Sequence, residues 1–147
     1  MEIVLYQPEI AGNVGAIIRL AANSGISLNL IKPFGFDLQE NKIRRAGLDY
    51  HDLSNTKTYN SWEEFIETNK TKSICCLSSK GIDSYRDTNL NQYDFLLFGP
   101  ESIGLPDEII SSYKTITIPM KENSRSINLA NSVGIVVFES LRQASVQ

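Results

Sequence analysis

Short apolar runs alternate with amphipathic stretches along the whole chain. Residues 2–6 (EIVLY), 28–31 (LNLI), 73–78 (SICCLS), 93–98 (YDFLLF) and 115–118 have the length and composition of buried strands, and 56–59 is a further, more polar strand. Between them the period changes. From Asn13 to Ser24, Val14, Ile17, Ile18, Ala21 and Ala22 recur at helical spacing, with Asn13 as a natural N-cap and Gly25 as the stop. A short basic helix is expected near 40–46. Ser61 followed by Glu64 has the spacing of a capping box, Pro106 opens a helix near 106–112, and a long helix runs from about Asn128 to Ala144. Strand and helix in alternation, with nearly continuous apolar strands, predict an α/β fold with a mostly parallel sheet covered by helices on both faces. Such sheets bind ligands beyond the carboxyl ends of their strands. Loops rich in Gly, Pro, Asn and Ser follow 2–6, 73–78, 93–98 and 115–118, so a site is expected there.

The chain has 147 residues, which suits one domain over 1–147, and 41% hydrophobic with 21% charged residues is an ordinary globular mixture. Residues 1–7 lack the basic and long apolar regions of a signal peptide, and no apolar span approaches roughly 18 residues. A cytoplasmic protein without membrane contact is expected. Cys75 and Cys76 are adjacent, so on a strand they point to opposite faces and form neither a disulfide nor a shared metal site. His51 is the only histidine, and no ligand spacing for a metal is present. A formal charge of −3 argues against general adhesion to nucleic acid, so an RNA ligand needs a local cationic patch. The densest is Lys42, Arg44 and Arg45, with Tyr50 and His51 close behind as stacking groups.

Three further segments carry chemistry. The loop 98–106 (FGPESIGLP) places Gly99, Pro100 and Glu101 just past a strand; Gly99 permits close approach of backbone to a ligand. The run 118–131 (IPMKENSRSINLAN) opens a helix with Ser124 or Ser126 as its cap and with more polar side chains than capping requires. Arg19 stands among Ile17, Ile18, Leu20 and Ala21, where it must snorkel, pair or face a ligand. Residues 133–138 (VGIVVF) read as apolar all round, which points to a helix shared with a partner. A nucleotide-binding enzyme is excluded by the lack of G-x-G-x-x-G after the first strand and of any G-K-[ST].

Together PEIAGNVGAIIRLAANSG, KIRRAGLDYH, FGPESIGLP and IPMKENSRSINLANSVGIVVFESLRQ, in this order between Ile3 and Gln143, resemble the SPOUT methyltransferases, and among them the TrmL (YibK-like) tRNA ribose 2′-O-methyltransferases. The resemblance implies a C-terminal trefoil knot, a homodimer through the C-terminal helix, and S-adenosylmethionine as cofactor. It implies that Leu77, Ser78, Gly99, Ile118, Ser126 and Leu129 surround the cofactor, and that Arg19, Glu101, Ser126 and Asn128 are the catalytic set. Lys42, Arg44, Arg45, Tyr50, His51 and Arg125 are the expected RNA contacts. The implied substrate is the wobble nucleotide of leucine tRNAs; another tRNA or rRNA ribose, or a non-catalytic RNA-binding module, are the alternatives. Phe138 stands where the subfamily has tyrosine, and Ala11-Gly12 where it has Pro-Pro. Methyl transfer needs alignment and an acceptor for the hydroxyl proton. A guanidinium stays protonated, so Arg19 is expected to stabilise the developing alkoxide while the proton leaves to water, phosphate or Glu101.

Overall fold

The computed structural model describes residues 1–37 and 53–145. The basic helix expected near 40–46, and Lys42, Arg44, Arg45, Tyr50 and His51, lie outside the described residues. Seven strands form one sheet: β1 (Glu2–Tyr6), β2 (Leu28–Ile31), β3 (Thr56–Tyr59), β4 (Ile74–Leu77), β5 (Asp83–Ser84), β6 (Phe95–Phe98) and β7 (Lys114–Thr117). Their order across the sheet is β3-β2-β1-β6-β4-β7-β5, and every pairing among them is parallel. The two-residue β5 departs from the expected strands, because a strand so short carries no hydrophobic period.

The alternation of side chains divides the core in two. Ile3, Leu5, Leu28, Leu30, Cys75, Leu96, Phe98 and Ile116 face α1 (Ala11–Ser24) and α4 (Leu129–Ser145). Val4, Ile31, Cys76, Phe95 and Leu97 face α2 (Trp62–Thr68) and α3 (Asp107–Ser112), through Phe65 and Ile109. Helices therefore cover both faces. The two cysteines do point apart, both are free and buried, and burial pushes each thiol up to about 12.

Local signals mostly act where the sequence puts them. The Ser61 hydroxyl accepts the Glu64 N–H at 3.1 Å, and the Asn60 N–H donates back to Glu64 at 2.5 Å, one residue earlier than in a strict capping box. Pro106 lies just before α3 rather than inside it, and its carbonyl accepts the N–H groups of Ile109 and Ile110. The last helix buries one side (Leu129, Val133, Val136, Val137 and Ser140), while within its apolar run 133–138 Ile135 and Phe138 stay exposed in the single chain, Phe138 by 59%. Its C-terminal end is tied down by Gln143, which accepts the Leu90 N–H and donates to the Thr88 carbonyl. Among the described residues no helix is long and apolar enough to cross a membrane.

Candidate active site

A cleft of about 340 Å³ opens beyond the carboxyl ends of β4, β6 and β7, the place where parallel sheets bind ligands. Three loops build it: Leu77–Lys80 after β4, Gly99–Leu105 after β6, and Thr117–Met120 with Ser126–Leu129 after β7. Ile10 and Asn13 from the start of α1 complete the wall. Leu77, Ser78, Gly99, Glu101, Ile118, Ser126, Asn128 and Leu129 all line it, although the sequence separates them by up to 52 positions.

The conformation of each loop follows from its residues. At Gly99 a side chain is excluded, since a Cβ would sit 2.4 Å from the Leu105 N and 2.7 Å from the Gly104 carbonyl carbon. The missing side chain thus admits the loop's own returning backbone, where a ligand was the expected neighbour. Gly104 turns the chain at φ +70°, a left-handed conformation that favours glycine, and donates its N–H to the Pro100 carbonyl at 3.0 Å.

Glu101 is the hub of the polar network. Its Oε2 accepts the Glu9 N–H at 2.8 Å, and its Oε1 accepts the Ile10 N–H and the Asn13 Nδ2, both at 3.1 Å. This carboxylate from a loop some ninety residues away supplies acceptors at the entry to α1, where Ile10 occupies the N-cap position without a side-chain cap. Asn13, expected as that cap, lies inside the helix and is 8% exposed. Its side chain instead joins two loops, because its Oδ1 also accepts from Asn128 Nδ2 at 2.9 Å.

Asn128 has a second duty. Its Oδ1 accepts the N–H groups of Ala130 at 2.9 Å and Asn131 at 3.2 Å, so Asn128 caps α4 and neither Ser124 nor Ser126 does. Ser126 is thereby left on the cleft wall, exposed beside the exposed Arg125. A continuous chain of hydrogen bonds, Asn128 to Asn13 to Glu101, links the segments before α4, at the start of α1 and after β6.

Glu9 was missed by sequence reasoning. Its Oε2 accepts the Ser102 N–H at 2.8 Å and its Oε1 the Ser102 hydroxyl at 2.7 Å. The hydroxyl and the backbone N–H of Ser102 hold its carboxyl below the usual carboxylate range. A separation of 93 positions hides the pair from any local pattern.

Arg19 is the exception among the expected catalytic residues. It is exposed on α1 and does not line the cleft of its own chain. Among the described residues, no group of three or more His, Cys, Asp or Glu side chains is placed to hold a metal ion.

The cleft suits an adenosyl group. Leu77, Leu105, Ile118 and Leu129 offer apolar surface for a flat ring, and Ser78, Ser126 and the loop backbone offer polar contacts around it.

Comparison with known proteins agrees with this geometry. Residues 1–138 match the SpoU rRNA Methylase family. A tRNA (cytidine(34)-2′-O)-methyltransferase of Aeromonas hydrophila is 46% identical, over 97% of this chain and 94% of its own. A solved structure concerned with 2-OH methylation of C/U34 on tRNA is 40% identical, with a TM-score of 0.91 over 99% of this chain and 97% of the other. An AdoMet-bound rRNA methyltransferase from Sinorhizobium meliloti is 26% identical, with a TM-score of 0.83 over 96% of this chain and 55% of the other. The fold, the order of the motifs and the match over residues 1–138 lead to one conclusion: this chain belongs to the SpoU rRNA methylase family, in the SPOUT class of methyltransferases.

Proposed function

We propose that this protein transfers a methyl group from S-adenosylmethionine to the ribose 2′-hydroxyl of the wobble nucleotide, position 34, of leucine tRNAs. The observation that carries the proposal is the gathering of Leu77, Ser78, Gly99, Glu101, Ile118, Ser126, Asn128 and Leu129 around one cleft at the strand ends. The likeness to C/U34 methyltransferases over nearly the whole length supports position 34 above an rRNA site. The C-terminal segment is read as the trefoil-knotted part of a single domain, and the protein as cytoplasmic.

The cofactor brings an electrophilic methyl and a neutral leaving group, so the protein supplies alignment and charge stabilisation. Leu77, Ile118 and Leu129 would hold the apolar part of the cofactor, and Ser78 and Ser126 would offer it polar contacts. Glu101 fixes the loop after β6 to α1 through the three donors on its oxygens. Water, a tRNA phosphate or Glu101 takes the hydroxyl proton.

Arg19 reaches the reaction from the second subunit of a homodimer. Gly12, Ala16, Arg19 and Asn23 form the exposed stripe of α1, and α1 lies against α4, with Leu20 Cδ1 3.6 Å from the Cβ position of Gly134. The exposed Ile135 and Phe138 extend this surface, which a second copy would cover. The phenylalanine at 138 keeps the apolar contact that such an interface needs.

For the RNA, Lys42, Arg44, Arg45 and Arg125 contact phosphates, while Tyr50 and His51 stack on bases. Nucleoside mass spectrometry of tRNA incubated with the protein and S-adenosylmethionine tests the proposal. A 2′-O-methyl group at position 34 of leucine tRNAs is expected; methylation confined to rRNA, or none, would contradict it. Replacing Lys42, Arg44 and Arg45 together by alanine should weaken tRNA binding and lower the slope of log K against log salt by about 2. An unchanged slope would remove these residues from the interface.

A further inference from the structure

We propose that Glu9 is a positioning residue that latches the loop after β6 in the shape the cofactor cleft requires. The inference rests on reading that cleft as the S-adenosylmethionine site. Two carboxylates are exchanged between two loops. Glu101, from the loop after β6, accepts the Glu9 and Ile10 N–H groups, and Glu9, from the loop after β1, accepts both the N–H and the hydroxyl of Ser102. Ser102 lines the cleft whereas Glu9 does not, so Glu9 acts on the ligand through the loop it holds.

The latch has a firm anchor. Behind Glu9 the chain passes so close that a Cβ on Gly35 would lie 2.7 Å from the Glu9 carbonyl oxygen and 2.8 Å from its Cα. The Gly35 N–H also donates to the Pro8 carbonyl at 3.1 Å. The loop end it grips is the freer partner. Ser102 is exposed and Ile103 is 82% exposed, between the tight base at Gly99–Leu105 and the left-handed turn at Gly104. Fastening Ser102 to a braced segment confines this loop tip, and a loop that samples other shapes binds its ligand more weakly in proportion to the time lost.

Calorimetry of S-adenosylmethionine binding to the full chain tests the latch. For Glu9→Ala the Kd should rise about tenfold. Ser102→Ala keeps the backbone bond, so its rise should be about threefold, and the double variant should be no weaker than Glu9→Ala alone. Glu9→Gln retains an acceptor without the charge and should fall between wild type and Glu9→Ala. The KM for S-adenosylmethionine should follow the Kd while kcat at saturation stays within about twofold, a split that general loss of folding would not give. A Kd for Glu9→Ala within about twofold of wild type, or additive effects in the double variant, would overturn the proposal. Hydrogen exchange on the wild-type protein separates the latch from the cleft itself. The cofactor should protect amides in 99–104 and 117–129. Protection elsewhere would overturn the cleft and the latch together, and protection of these segments with normal affinity in Glu9→Ala would overturn the latch alone.

Discussion

Arg19→Ala is expected to lower kcat by about 10²–10³-fold while S-adenosylmethionine binding stays within about twofold of wild type. The first half follows from chemistry. As the ribose oxygen attacks, negative charge builds on it, and a guanidinium held nearby is worth more in the transition state than in the ground state. The second half follows from position, because Arg19 is exposed on α1 and does not line the cleft of its own chain. Arg19→Lys separates charge from shape. Lysine keeps the charge but loses the planar fork, so a rate about 10-fold or more below wild type is expected if geometry matters. Single-turnover methylation at saturating tRNA measures both variants, and wild-type rates for Arg19→Ala would remove the residue from the reaction.

Gly99→Ala should cost about 2–3 kcal/mol of stability and abolish measurable cofactor binding. The added Cβ would lie 2.4 Å from the Leu105 N and 2.7 Å from the Gly104 carbonyl carbon, and backbone atoms cannot swing aside as a side-chain tip can. Relief requires the loop Pro100–Gly104 to move as a body. That movement drags Glu101 from the entry to α1 and Ser102 from Glu9, so two hydrogen-bonded links between the loops fail together. A melting temperature lower by about 5–10 °C is expected for a chain of this size. A melting temperature within about 1 °C of wild type in a thermal scan would show that the Gly99 contact does not constrain the loop.

The strands and α1 were legible because burial imposes a period on sequence: Ile3, Val4 and Leu5, or Phe95 to Phe98, can only be central strands when both faces are covered. The cleft was legible for a different reason, since its residues fall in motifs that keep their order and spacing. The connections among those motifs were not. Asn13 looks like a local cap and is a bridge between Glu101 and Asn128. Ser124 and Ser126 look like caps, and Asn128 takes that role, because only the residue immediately before Leu129 has its side chain level with the free N–H groups of Ala130 and Asn131. Glu9 and Ser102 carry no sign of each other in a linear chain, for their meeting is decided by the pairing of β1 with β6. The apolar run 133–138 gives a correct helix but hides which side is buried, because Ile135 and Phe138 are as hydrophobic as Val133 and Val136.

Mixing two inactive variants tests the central claim, that each active site combines the cleft of one subunit with Arg19 of the other. One variant is Arg19→Ala; the second is Ser126→Trp, whose indole would occupy the cleft at an exposed position. After unfolding and refolding together in equal amounts, half the dimers are hybrids, and each hybrid holds one site with an intact cleft and an intact Arg19. Recovery of about a quarter of wild-type methylation is the expected result. No recovery, with hybrid dimers demonstrated by mass spectrometry, would contradict the shared site and with it the role of Arg19 in the reaction of the opposite subunit.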